Sequence, residues 1–223
     1  DSGLEEVASA RALVGQVLAG QGRLQEAISA WRAYLTAHPS HAQWEQVQRA
    51  IVDTEYRRAL EAYVSGEQGF GLARELFAAF GRAHPLDARN PEILYLLGDM
   101  FLQEESHDLA RAAFARCVSK YPGKESSSHA QFAIGEIHES VAFNYLDALK
   151  AYRAVTWGSW AGPARQRIAR LERKSLSLLT PRIYHTDETP VFEVTSRNIK
   201  KVRVRVYRLE LEDYFRATHT AGQ

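Results

Sequence analysis

Up to about Trp160 the apolar positions recur at the three- and four-residue intervals of helices that bury one stripe. Around Ser175 the period changes. The run from Ser175 to Asn198 carries short apolar or alternating stretches split by Pro181 and Pro190. Further on, Val202, Val204 and Val206 alternate with Arg203 and Arg205. Period two marks a strand with one buried and one wet face. The pattern therefore predicts a helical part, residues 1–174, and a β part, residues 175–223. Within the second, strands are expected at Val191–Thr195 and Val202–Tyr207, and a short helical turn at Glu210–Phe215. Leu209 and Leu211 fall on the opposite parity from the valines, which predicts a bulge or a strand end near Tyr207.

The helical part repeats itself. Val14-Gly15, Leu18, Ala27, Trp31 and Pro39 are matched by Leu97-Gly98, Phe101, Ala110, Phe114 and Pro122. Gly to Ala is twelve residues in both, and aromatic to Pro is eight. Ala73, Phe77 and Pro85 keep the same spacing, and Ile134-Gly135, His138, Ala148 and Tyr152 form a fourth copy with one extra residue in its turn. These residues resemble the tetratricopeptide repeat, over roughly Val7 to Trp160. The resemblance implies helix–turn–helix pairs in which glycine and alanine admit close approach, an aromatic fills the space left, and proline ends the second helix. One pair cannot bury its own apolar face, so the stack is the folding unit. The fold expected is mainly α, a solenoid of about four pairs followed by a short β segment, a partial β-sandwich.

The copies differ in places. Glu61 stands where the others have glycine, and His41 to Val64 shows no breaker, which predicts one long helix or two nearly continuous ones. Asn90 is a candidate N-cap with Pro91 in the first turn, and Ser126 to Ser128 are expected to cap the next pair. After Gly162-Pro163, Ile168 and Leu171 share one face, as in a last helix closing the stack.

A second resemblance covers Leu176 to Phe215, where the run YHTDETPVFEVTSRNIKKVRVRVYRLELEDYF is similar to the opening of a macroglobulin-type β-sandwich in bacterial alpha-2-macroglobulin-like proteins. It implies a cell-envelope or periplasmic protein that traps proteases, with the repeats on its N-terminal side. The thioester of that family needs Cys-x-Glu-Gln, and Ser65-Gly66-Glu67-Gln68 has serine in place of the thiol.

Composition narrows the rest. A net charge of +1 gives no general attraction to nucleic acid, and no apolar run is long enough to span a membrane. The chain begins at Asp1 without a basic-then-apolar leader, as after processing or in an excised piece, so the compartment stays open. Cys117 is the single cysteine, expected to be buried and inert, and no disulfide framework exists. His138-Glu139 begins a zinc-protease pattern, but Ala142 replaces the second histidine. His38 and His41 flank Pro39 and are expected to be solvated. Arg203 and Arg205 are followed by Glu210, Glu212 and Asp213, which favours a solvated strand face over phosphate contact. No catalytic residue, metal site or cofactor is predicted.

What remains is a binding surface. The repeat resemblance places the first helix of each pair on the concave side. Counting from the repeat glycines, the third and fourth pairs present Glu92, Tyr95, Asp99, His129, Phe132, Glu136 and Glu139 there. That acidic and aromatic set lacks the Lys, Asn and Arg clamp that related domains use for a C-terminal carboxylate. It suits a basic or mixed peptide. The alternative, equally open, is plain solvated surface or a groove filled by another part of the same protein. Three functions stay open: the interaction module of an alpha-2-macroglobulin-like protein, a free-standing adaptor, or the scaffold of a hydrolase lying beyond Gln223. The residues following Gln223 separate them.

Overall fold

The computed structural model describes residues 2–180, 182–185, 187–205 and 210–219. Contacts divide the chain into two compact units, Asp1–Ile168 and Ala169–Gln223. In the first, four helix–turn–helix pairs follow one another: α1 (Ser2–Gly20) with α2 (Leu24–Ala37), α3 (Trp44–Val64) with α4 (Glu67–Ala83), α5 (Asn90–Gln103) with α6 (His107–Lys120), and α7 (Glu125–Ser140) with α8 (Tyr145–Arg153). Helix α9 (Ala161–Glu172) comes next. In the second unit β1 (Ser175–Leu179) pairs antiparallel with β2 (Glu193–Arg197), Leu178 opposite Val194, and α10 (Leu211–His219) follows.

Glycine and ring meet within each pair. A Cβ on Gly98 would lie 2.5 Å from the Phe114 ring, and one on Gly15 or Gly135 would enter the rings of Trp31 or Tyr152. Ala27, Ala73, Ala110 and Ala148 are wholly buried on the second helices. The buried side chains form three successive clusters: α1, α2 and the start of α3; the end of α3 with α4 and α5; and α5 with α6 and α7. Helices α3 and α5 thus each serve their own core and the one before it, as in a stack whose units share faces.

Proline stops three second helices in the same way. His38, His84 and Tyr121 precede Pro39, Pro85 and Pro122, and all three adopt φ between −127° and −133° with ψ between 59° and 62°. The proline ring excludes the α region for the residue before it. Each of these three still donates its N–H four residues back, at 2.8–3.0 Å.

Several local expectations are corrected. Asn90 does not cap α5: it lies inside the first turn, buried, and donates to the His84 carbonyl at 2.7 Å. Ser127 and Ser128 do not cap α7: both are wholly buried and donate to the carbonyls of Lys124 and Trp157 at 2.7 Å. His38 and His41 are half-buried, not solvated, because Tyr34 packs on both and its hydroxyl bonds His41 Nδ1 at 2.6 Å. In the second pair the turn is only Ser65-Gly66, and α4 begins at once. Glu61 consequently faces water and holds Arg57, while Ala59, Ala62 and Gly69 make the close approach. The strand expected at Val202–Tyr207 is absent at residues 202–205, since β1 and β2 pair only with each other; the rest of it, and the expected bulge or strand end, lie outside the described residues.

The loop between α4 and α5 is an electrostatic lock. Asp87 Oδ1 accepts from the backbone N–H and Nε of Arg89, and Oδ2 accepts from Nη2 at 2.7 Å. The guanidinium then bonds Asp53 and lies over the rings of Tyr56 and Phe80. These bonds hold the Asp87 carboxyl at about 2, well below its usual 3.8.

Two outcomes follow. Gly98→Ala lowers the unfolding free energy by about 1–3 kcal/mol through overpacking against Phe114, although alanine is the better helix former. Gly71→Ala, in open space within α4, raises it by about 0.5–1 kcal/mol. Urea denaturation of both variants measures the contrast. Asp87 titrates below its unfolded value, so its contribution, about 2 kcal/mol, is present above pH 3.8 and lost as pH falls toward 2. Asp87→Asn removes that limb of the stability–pH curve.

Candidate functional site

The first helices α3, α5 and α7 are joined by side chains reaching from one repeat to the next. The Tyr56 hydroxyl donates to Glu92 at 2.9 Å, and the Tyr63 hydroxyl donates to Asp99 at 2.5 Å. Two phenols seven residues apart on α3 meet two carboxylates seven apart on α5, each across 36 residues. Seven residues is two helical turns, so both pairs lie on one face. Gln103 also donates to Asp99. Burial and the Asp99 carboxylate push the Tyr63 hydroxyl up to about 12, so it remains a donor at neutral pH.

Aromatic rings continue the row. Tyr95 stacks on His129 at 4.1 Å between centroids, and His129 stacks on Trp160 at 3.8 Å with the planes 11° apart. Tyr95 Oη and His129 Nε2 share a 3.0 Å hydrogen bond. Phe132 packs against Trp160 and Tyr152. Burial lowers the basicity of His129, while Asp99 and Glu125 oppose that shift.

At the far end Arg167 from α9 takes both remaining acids. It donates to Glu136 at 2.9 Å and lies 3.7 Å from Glu139. Glu139, only 8% exposed, also accepts from the Tyr152 hydroxyl at 2.8 Å. Burial raises the Glu136 carboxyl, against the pull of Arg167.

All seven residues singled out from the sequence therefore stand along α5 and α7. Their environments differ. Glu92 is exposed; Tyr95, Asp99, His129 and Glu136 are half-buried; Phe132 and Glu139 are buried. Glu136 and Glu139 are already paired with Arg167, so the acidity open to a partner concentrates at Glu92 and Asp99. Counting from glycines missed Tyr56, Tyr63, Trp160 and Arg167. The matched spacing of 56/63 with 92/99 was the available signal for the first two.

Among the described residues no His, Cys, Asp and Glu side chains cluster as a metal site, and no helix is long and apolar enough to cross a membrane. Cys117 is buried, donates to the Pro91 carbonyl at 3.3 Å, and has its thiol pushed up to about 11 by desolvation.

A family model described as tetratricopeptide repeat matches residues 2–44 and 56–125, just over half of the chain. The unmatched gap coincides with the first half of α3. Among solved structures, MamA 41-end from Desulfovibrio magneticus RS-1 is similar at 16% identity, covering 73% of this chain and 76% of that one with a TM-score of 0.35. No curated protein matches the chain.

The ring stack gives a spectroscopic prediction. Protonated imidazole quenches a stacked indole, so Trp160 emission falls as pH drops, with a midpoint below the usual histidine value of about 6.5. The unfolded chain takes up that proton first, so the stack's contribution to stability also declines as pH falls below about 6.5. His129→Gln abolishes the quench; a transition that persists in that variant assigns it elsewhere.

Proposed function

Because the chain belongs to the tetratricopeptide repeat family, we propose that it is a non-enzymatic scaffold that binds a protein partner along α3, α5 and α7. The observation that carries this is the continuous row of half-exposed phenols and carboxylates from Tyr56 to His129. A row prepaid by internal bonds presents fixed side chains, and fixed groups lose little freedom on binding. Glu92 and Asp99 flank Tyr95, which suits a lysine or arginine whose charge meets a carboxylate while its stem lies on a ring. The segment recognised is a basic or mixed peptide, supplied by another protein or by another part of the same one.

The finer setting, the N-terminal side of an alpha-2-macroglobulin-like protease trap in the cell envelope, has its support in the sequence of Leu176–Phe215. One structural feature accords with it. The β1–β2 ribbon exposes Leu176, Leu178 and Val194 on one face, and a two-stranded ribbon is marginal in water unless something covers it.

A labelled peptide alternating arginine with glycine, and a glutamate counterpart of equal length, test the groove by fluorescence anisotropy. The basic peptide binds, and binding weakens at 0.5 M salt as screening shortens to about 4 Å. Glu92→Gln combined with Asp99→Asn weakens it about tenfold, the loss of about 1.4 kcal/mol, while leaving the tyrosine bonds acceptors. Equal binding of the glutamate peptide, or no effect of the double substitution, removes the groove from the account.

A further inference from the structure

On the row of second helices, a cleft of about 270 Å³ opens between α2 and α4 above α3. Ile28, Leu76 and Phe80 give it an apolar floor, and Ala79 and Ala83 are too small to close it. A further hollow of about 290 Å³ shares Gln25 and Arg58 with it and carries the depression along α2 toward Gly22, past the Arg23–Glu26 pair.

The charges around this cleft are arranged unevenly. Glu55 gives one oxygen to Arg32 at 2.5 Å and the other to His84 at 2.8 Å. Glu61 holds Arg57 at 2.8 Å. Both carboxylates within one turn of Arg58 are thus engaged elsewhere. Arg58 itself, half-buried on the cleft wall, makes no hydrogen bond or ion pair among the described residues. The other half-buried arginines among the described residues each face a carboxylate: Arg74 faces Glu104, Arg89 faces Asp87, and Arg167 faces Glu136. A guanidinium is a planar fork that fits a carboxylate by two parallel bonds, and it gains most where water is partly excluded.

We propose that this cleft is a second docking site, independent of the α3–α5–α7 row, for a protein segment carrying one large apolar side chain flanked by aspartate or glutamate. The apolar side chain fills the space over Ile28, Leu76 and Phe80. The acidic neighbour takes Arg58, which no internal group neutralises. The two rows would then select opposite charge: basic segments along α5 and acidic ones between α2 and α4.

Panning a phage-displayed random peptide library on the whole chain tests this. Enriched peptides are expected to combine Leu, Phe or Met with adjacent acids. They should bind Arg58→Glu and Ala79→Trp at least about tenfold more weakly. The Glu92→Gln, Asp99→Asn variant should bind them as the parent does. Ala79 is exposed, so tryptophan there fills the cleft without entering the core; circular dichroism confirms that each variant is folded. Enriched peptides without acids, full affinity for both cleft variants, or no enrichment at all would overturn the proposal. So would a concentration-dependent dimer dissolved by Ala79→Trp, which would assign the cleft to a second copy of this chain.

Discussion

A side chain at Gly15, Gly98 or Gly135 would occupy volume that the ring of Trp31, Phe114 or Tyr152 already fills, and the rest of the repeat is arranged around that exclusion. Because the glycine leaves a slot, the ring can lie flat in it and the two helices can come close. Because they come close, the alanine one turn before the ring must be small, and Ala27, Ala110 and Ala148 are wholly buried there. The orientation of the first helix is then fixed, and with it the direction in which Tyr95, Asp99, His129 and Glu136 project. The candidate row is a by-product of core packing on the other side of the same helices.

Between repeats the forces change character. Apolar clusters are shared across neighbouring pairs, but the face carrying the candidate row is joined by directional bonds: phenol to carboxylate, ring on ring, guanidinium on two acids. Such bonds contribute little net stability each, on the order of 1 kcal/mol, yet they set spacing and angle. They also neutralise part of the acidity that the residue types alone suggest. Charge on this surface is decided by which carboxylates have an internal partner, and the same rule leaves Arg58, half-buried on α3, without one among the described residues.

The repeat register was legible because it is written in residues with single physical roles. Glycine, alanine, an aromatic and proline at fixed intervals admit few arrangements, and the three pre-proline residues even share their dihedral angles. The helix bearing each candidate site residue was legible for the same reason. The partners were not. Asn90, Ser127 and Ser128 look like caps in a local reading, and they bond carbonyls because tertiary packing turns them inward. Arg167 and Trp160 reach the row from beyond the fourth pair, where the periodic signal has ended. The valines at 202 and 204 alternate as a strand would, but alternation supplies no hydrogen-bonding neighbour.

Helix α3 stands apart from the other first helices. Its early residues, Val47 and Ile51, belong to the core of α1 and α2, and its late residues, Ala59 and Ala62, belong to the core of α4 and α5. At 21 residues it is about 32 Å long. Two separate cores therefore share one helix, and they meet between Ile51 and Val52. Helix α3 is the one element with buried residues in both cores, so the first two pairs cannot shear past one another without disturbing packing on a single helix.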